Sequence, residues 1–201
     1  MMFFVRRKQG GEGRTAGFSV LELLVAITII TLTSAMTLVS FTGVRDRTAV
    51  NRAARDLALA ARRVQQLSLS VSAFEAGFSS PTAQMVGISV VSDSSEYTIF
   101  LDKNENGIYE TGVDTTSTQP GLSGEFVGGV RIRRIGYIDL IGNPASTLVA
   151  HVIFAAPEAT MRFTDVSGNN LGEVLDIEIG TTAGIFIRTV TIRISGQISI
   201  K

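Results

Sequence analysis

Cysteine and tryptophan are missing from the 201-residue chain, and histidine occurs once, as His151. Without cysteine the chain has no disulfide, no thiolate metal site and no thiol nucleophile. His151 lies within an apolar run, which favours a structural role over a ligand. No acid–base partner or pocket signature accompanies it or the carboxylate pair Asp176 and Glu178. The sequence therefore argues against an enzyme.

A net charge is also absent, because 18 basic side chains balance 18 acidic ones. The distribution is uneven. Residues 1–17 hold four basic side chains and one acidic, and the remainder holds 14 basic and 17 acidic, 14 − 17 = −3. A slightly acidic remainder argues against nucleic acid as a partner.

Long hydrophobic runs are absent except at residues 18–41, which suffice to cross a bilayer as a helix. Basic residues before the run predict a cytoplasmic N-terminus. A secretory signal peptide has a shorter apolar core with small residues after it, whereas Thr15-Ala16-Gly17 precedes this run. A plain signal anchor fits the length but leaves the charge of Glu22 unexplained, since an unpaired ion in a membrane is costly.

Cleavage between Gly17 and Phe18 would explain Glu22. The cut would create a new α-ammonium at the membrane face. In an assembly this cation can pair with Glu22 of a neighbouring subunit inside a shared apolar core. Such pairing makes a buried charge tolerable and would set the axial register between subunits.

The segment Gly-Phe-Ser-Val-Leu-Glu-Leu-Leu-Val-Ala at residues 17–26 resembles the class III signal of type IV prepilins and type II secretion pseudopilins. The resemblance implies that a membrane-embedded prepilin peptidase cuts after Gly17 and N-methylates Phe18. It also implies that Glu22, the fifth residue after the cut, is the assembly residue.

Residues 42–76 continue with apolar positions three and four apart, which predicts an amphipathic helix half. In pilin-like proteins this half continues the membrane helix, which implies one helix of roughly 50 residues, about 75 Å long. The expected organisation is a cleaved leader at 1–17, a transmembrane half at 18–41, the amphipathic half at 42–76 and a β-rich domain at 77–201. The fold class is α+β and pilin-like, with the long helix packed on an antiparallel sheet or sandwich.

The β-rich domain shows short strand patterns separated by turn residues, and their close spacing predicts antiparallel pairing. The predicted strands are Met85–Val91, Tyr97–Leu101, Val130–Ile141, Leu148–Phe154, Thr160–Phe163, Val174–Ile179, Ile185–Ile194 and Gln197–Ile200. Together with the mid-domain segment 97–109 and the tail 195–200, they resemble the GspH/FimT branch of the pilin-like family. Members of that branch are typically minor subunits near the tip of a pilus or pseudopilus.

Asp102, Asn104, Asn106 and Gly107 match the start of an EF-hand-like loop, in which alternate oxygen ligands converge on one hard cation. Position twelve is Val113 rather than glutamate, and a strand rather than a helix precedes the loop. The possible Ca²⁺ ligands are Asp102, Asn104, Asn106, Ile108, Glu110 and Asp114. The alternative is a polar turn that uses Asn and Gly for backbone geometry.

Arg131, Arg133 and Arg134 form a basic cluster on a predicted strand, and the period of two places Arg131 and Arg133 on one face. A solvated strand face and a DNA contact are both open. Some FimT-like minor pilins take part in DNA uptake and carry a C-terminal Gly-Arg-x-Arg element. The corresponding residues 196–199 are Gly-Gln-Ile-Ser, which argues against DNA binding.

These observations lead to a minor pilin of a type IV pilus or a pseudopilin of a type II secretion system. We expect a single-pass protein of the inner membrane, with its globular domain outside the cytoplasm and later in the filament. The implied partners are other subunits, the prepilin peptidase and the inner-membrane assembly platform. The alternatives are a major pilin, a DNA-uptake or adhesion subunit, and a secretion component that contacts exported substrate.

Overall fold

The computed structural model describes residues 17–69, 85–116, 123–155, 160–182 and 184–201. The chain divides into two compact units, Met1–Thr42 and Gly43–Lys201. Leader residues 1–16 and the expected helical residues 70–76 lie outside the described residues.

Helix α1 spans Val20–Leu69, 50 residues, and belongs to both units. Its length matches the expected helix, but it begins two residues later than the predicted Phe18. Within the first unit, the stretch Val20–Thr37 is long and apolar enough to cross a membrane, and its side chains are exposed.

The second unit contains two antiparallel sheets. Their strands are β1 (Met85–Val91), β2 (Glu96–Asp102), β3 (Thr115–Thr116), β4 (Gly124–Glu125), β5 (Val130–Ile138), β6 (Pro144–Thr147), β7 (Val149–Ala155), β8 (Thr160–Thr164), β9 (Val174–Thr181), β10 (Ile187–Arg193) and β11 (Ile198–Ile200). The first sheet has the order β3-β2-β1-β7-β8, with β4 also paired to β2. The second sheet has the order β11-β10-β9-β5-β6.

One hydrophobic core joins α1 to one face of each sheet. The helix contributes an alanine-rich stripe that runs from Val50 through Leu57 to Val64. Alternate residues of the strands, such as Ile99 on β2 and Ile177 on β9, complete the cluster. The prediction of an α+β fold with an amphipathic helix half and antiparallel sheets is confirmed at this level.

The structure corrects several strand assignments. The short strands β3 and β4 lie in a polar segment with no strand pattern, and β6 begins at Pro144, which the sequence had placed in a turn. Strand β5 ends at Ile138 rather than Ile141. A bulge between Ile132 and Arg134 shifts the register of β5 against β9.

Candidate functional site

The Gly17-Phe18 peptide bond lies just before α1. Ser19 caps the helix, since the Leu21 amide donates to Ser19 Oγ at 3.3 Å and the Leu23 amide donates to the Ser19 carbonyl at 3.1 Å. The Phe18 side chain is 83% exposed, and a Cβ added at Gly17 would meet no atom within 4 Å. The bond is therefore outside the helical hydrogen-bond ladder and open to solvent.

Glu22 lies in the first turn of α1, where a carboxylate interacts favourably with the helix dipole. Its apolar neighbours Leu21 and Leu23 are 73% and 56% exposed. Within the described part of the chain, the Glu22 carboxylate makes no ion pair and no hydrogen bond. It is a charge set among exposed apolar side chains.

Threonines elsewhere in the apolar stretch satisfy their own hydroxyl groups. Each donates to a carbonyl four residues earlier, Thr28 to Leu24 at 2.8 Å and Thr33 to Ile29 at 2.8 Å. A polar group with an internal partner is tolerated in lipid at little cost. Glu22 lacks such a partner within the described chain. In lipid its carboxylate would therefore need a partner from another molecule.

In the second unit, the loop that follows β2 begins at the buried Asp102. One of its carboxylate oxygens, Oδ2, accepts a 2.7 Å hydrogen bond from the Gly107 amide. The other oxygen, Oδ1, is buried without a hydrogen-bond partner among the described residues. An unsatisfied buried acceptor costs about 1–3 kcal/mol, and more when it is charged.

Three polar side chains meet further along this loop. The side-chain nitrogens of Asn104 and Asn106 donate to Oε2 of Glu110 at 2.8 and 2.9 Å. Oδ1 of Asn106 accepts from the Ile108 amide at 2.9 Å, which tightens the turn at Gly107. Both amides thus converge on one oxygen of the Glu110 carboxylate.

Asp114, the last of the predicted ligands, accepts hydrogen bonds from backbone amides of the loop. Its Oδ1 accepts from the Lys103 amide at 3.1 Å and its Oδ2 accepts from the Glu110 amide at 2.8 Å. Burial raises the pKa of Asp114, its two backbone hydrogen bonds oppose this, and the nearby Asp102 and Glu110 carboxylates add to the rise. Asp114 ties the two ends of the loop together.

The loop is also held from the neighbouring strand β8, a contact that the sequence did not indicate. The Thr164 hydroxyl donates to the Gly107 carbonyl, and Arg162 Nη2 donates to the Glu105 carbonyl at 3.4 Å. Only the pairing of β1 with β7 and β7 with β8 brings these residues onto the face that carries Asp102. Within the described ranges, no group of three or more His, Asp or Glu side chains could hold a metal ion.

His151 lies on the same face of the first sheet and is 2% exposed. Neither ring nitrogen has a hydrogen-bond partner in the described structure, and the ring contacts Phe100 edge-on at a centroid distance of 6.0 Å. Burial lowers the pKa of His151 to about 4, although the Asp165 carboxylate opposes the shift. The ring is therefore neutral at pH 7 and part of the packing.

The arginine cluster lies at the bulge of β5. Arg131 and Arg134 lie opposite Gly180 and Glu178 of β9, and a Cβ added at Gly180 would come within 3.2 Å of Cγ of the bulged Arg133. Arg134 forms a 3.9 Å ion pair with Glu178. Arg133 donates to the Thr181 carbonyl at 3.1 Å and the Thr182 carbonyl at 3.3 Å. Arg131 and Arg133 therefore lie on the Gly180 side of the strand and the buried Ile132 lies on the other, as the sequence predicted.

The remaining carboxylate pair also has internal partners. Asp176 accepts a 2.6 Å hydrogen bond from the Thr191 hydroxyl, and Glu178 is the partner of Arg134.

Comparison of the chain with family models, with curated proteins and with solved structures gave no match.

Proposed function

We propose that the chain is the precursor of a pilin-like subunit of the GspH/FimT type, which assembles through its N-terminal helix. The observation that carries the proposal is the Glu22 carboxylate, which lies without a partner among exposed apolar side chains in the first turn of α1. The resemblance of residues 17–26 to the class III signal supports it. The product would be a minor subunit of a type II secretion pseudopilus or a type IV pilus.

In the proposed sequence of events, the precursor spans the inner membrane once with residues 1–17 in the cytoplasm. A prepilin peptidase hydrolyses the Gly17-Phe18 bond and methylates the new N-terminus. The exposed, non-helical position of that bond suits such a cut. The β-rich unit lies outside the cytoplasm and supplies contacts to neighbouring subunits.

The proposed role of Glu22 follows from the cost of its charge. A charged side chain at the centre of a membrane helix costs about 2.5–3.5 kcal/mol on insertion scales, which is an upper bound for Glu22 in the first turn of α1. The Phe18 ammonium of the next subunit would offset this cost in the filament, but it cannot act on the same carboxylate in an unprocessed chain. Assembly would therefore depend on cleavage, and cleavage would not depend on Glu22.

The experiment replaces Glu22 by valine in the cells that make the protein. Intact-mass spectrometry reports cleavage and methylation, and the amount of protein in sheared filaments reports assembly. We expect Glu22→Val to be cut before Phe18 like the wild type and to fall at least tenfold in the filament fraction. Thr33→Val is the matched control, because its hydroxyl already bonds within α1 and its loss removes no external partner.

Three results would contradict the proposal. A wild-type protein whose mass still includes residues 1–17 would remove the processing step. Normal incorporation of Glu22→Val would remove the ion pair as the basis of assembly. Equal losses for Glu22→Val and Thr33→Val would mean that any change in this stretch impairs the helix.

A further inference from the structure

The loop between β2 and Asp114 carries three carboxylates, and the Arg162 guanidinium, which lies against it, donates to the Glu105 carbonyl rather than to any of them. Asp114 accepts from the amide of Lys103, which follows Asp102, and from the amide of Glu110, so the three carboxylates lie in one short loop. Across the ranges that the structure describes, none of the three forms an ion pair with a Lys or Arg side chain. Like charges that are held together without a cation oppose one another.

The buried oxygen of Asp102 indicates where a cation would fit. The carboxylate faces the loop, since its Oδ2 accepts the Gly107 amide, while Oδ1 is fully buried and lacks a partner. Buried polar atoms in native proteins are nearly always paired, and an orphan among them calls for an ion or water. Asp114 has no unpaired oxygen, because a backbone amide donates to each of its two oxygens.

The other side chains of the loop have the chemistry that such an ion needs. Asn104, Asn106 and Glu110 already converge within hydrogen-bond distance of one another. A half-turn of each amide puts an oxygen where a nitrogen now donates to Glu110, because the amide group carries both. The half-turn also releases the bonds that the two amide oxygens now accept from the Asn106 and Ile108 backbone amides. The two amide N–H groups thus lie beside the Glu110 carboxylate, where a bound cation would lie.

We propose that this loop binds Ca²⁺ through Asp102 Oδ1, the side-chain oxygens of Asn104, Asn106 and Glu110, and the carbonyl of Ile108. Two carboxylates balance the charge of one divalent cation, and amide and carbonyl oxygens complete the set. Oxygen ligands in a flexible loop suit Ca²⁺, whereas Mg²⁺ requires near-ideal octahedral geometry and keeps several waters. The inference does not depend on the proposed assembly function.

Binding would fasten the loop to the first sheet. The loop already contacts β8 through Thr164 and Arg162, and the proposed ion would replace the amide bonds to Glu110 with stronger electrostatic ones. A ligand that binds only the folded state raises its stability. Ca²⁺ should therefore raise the melting temperature of the β-rich unit.

The test uses the full chain purified in detergent micelles and freed of metal with a chelator. Calorimetric titration with CaCl₂ measures affinity, and thermal unfolding with and without CaCl₂ measures stabilisation. Asp102→Asn is the informative variant, because an amide oxygen can still accept the Gly107 amide while the buried charge is lost. We expect it to fold without metal, to bind Ca²⁺ at least tenfold more weakly and to lose the rise in melting temperature.

Asp93→Asn is the matched control. It removes one carboxylate from an exposed turn between β1 and β2, outside the loop, and its positive φ of 62° suits asparagine. It should bind Ca²⁺ like the wild type. The proposal is overturned if the wild type shows neither heat nor a shift in melting temperature at millimolar CaCl₂, or if Asp102→Asn binds as tightly as the wild type. Equal affinity for MgCl₂ would overturn the assignment of the ion.

Discussion

Single residues determine the packing on the face of the first sheet that carries Asp102 and His151. Gly87 on β1 lies under Phe100 and Ile153, and a Cβ there would come within 2.6 Å of the Phe100 ring and 2.7 Å of Ile153. That close approach lets the two apolar side chains pack over the strand. Asp102 and His151 lie on the same face, and their buried atoms Oδ1, Nδ1 and Nε2 have no hydrogen-bond partner among the described residues. Each buried unpaired atom lowers the stability of the fold, and the apolar packing around it must outweigh that loss.

His151 predicts an acid-sensitive stability. The pKa of the buried ring is about 4, below its ordinary 6.5, because burial disfavours the charged form. As pH falls through 6.5 the unfolded chain takes up a proton and the folded chain does not, so stability is lost between pH 6.5 and about 4. The loss amounts to about 3 kcal/mol from the difference between the two pKa values.

The measurement compares urea unfolding of the wild type and His151→Leu from pH 7 to pH 4. The difference between the two pH profiles isolates the ring, because the chain has no other histidine. Asp165 and Asp139 have lowered pKa values from hydrogen bonds of their own turns and titrate below this window. Asp114, whose pKa is raised, is present in both proteins. Parallel profiles would show that His151 is not buried as a neutral ring.

At the scale of elements, α1 offers two leucines two residues apart in opposite surroundings. Leu57 is fully buried in the core and Leu59 is 59% exposed. Leu57→Ala should lower the free energy of unfolding by 2–5 kcal/mol, through lost burial and the cavity left behind. Leu59→Ala makes the same substitution at an exposed site. Its free energy of unfolding should stay within about 0.5 kcal/mol of the wild-type value.

Urea unfolding of both variants, followed by circular dichroism in the same micelles, gives the comparison. Equal effects for Leu57→Ala and Leu59→Ala would mean that the helix does not bury the stripe that contains Leu57. A large effect of Leu59→Ala alone would place the other face of α1 in the core. Either result would contradict the packing described for this helix.

Periodic elements were predictable from the sequence because their signal is local. The three-and-four spacing from Val50 to Val64 marks the buried stripe of α1, and β1 has the predicted bounds Met85–Val91. The two-residue strands β3 and β4 carry no period of their own and exist through pairing with β2. The bulge at Arg133 likewise depends on the partner strand β9.

The candidate sites divide in the same way. The spacing of Asp102, Asn104 and Asn106 is a local pattern, so the sequence could name the loop. The assignment of Asp114 to backbone amides and the contacts from Thr164 and Arg162 depend on the fold of the loop and on strand pairing. The contacts from Thr164 and Arg162 each join residues 57 apart in sequence and leave no periodic trace.

For the whole molecule, apolar residues are distributed between two environments. The core cluster begins at Val50 and ends at Ile198, so every member belongs to the unit Gly43–Lys201. The exposed apolar side chains from Phe18 to Met36 belong to the other unit. Exposed apolar surface of this extent is unfavourable in water and favourable in lipid. Each unit thus suits a different solvent.

This distribution predicts that residues 43–201 form a soluble, folded fragment. Removing residues 1–42 takes away no member of the core cluster, and it removes the stretch that is apolar enough to cross a membrane. We expect the fragment to remain in solution without detergent and to unfold cooperatively. A control fragment of residues 58–201 lacks Val50, Ala54 and Leu57 from the buried stripe and should unfold at a lower temperature or fail to fold. Size-exclusion chromatography and calorimetric melting test this prediction. A fragment 43–201 that precipitates, or that melts without a cooperative transition, would contradict it and would show that residues 1–42 are needed for folding.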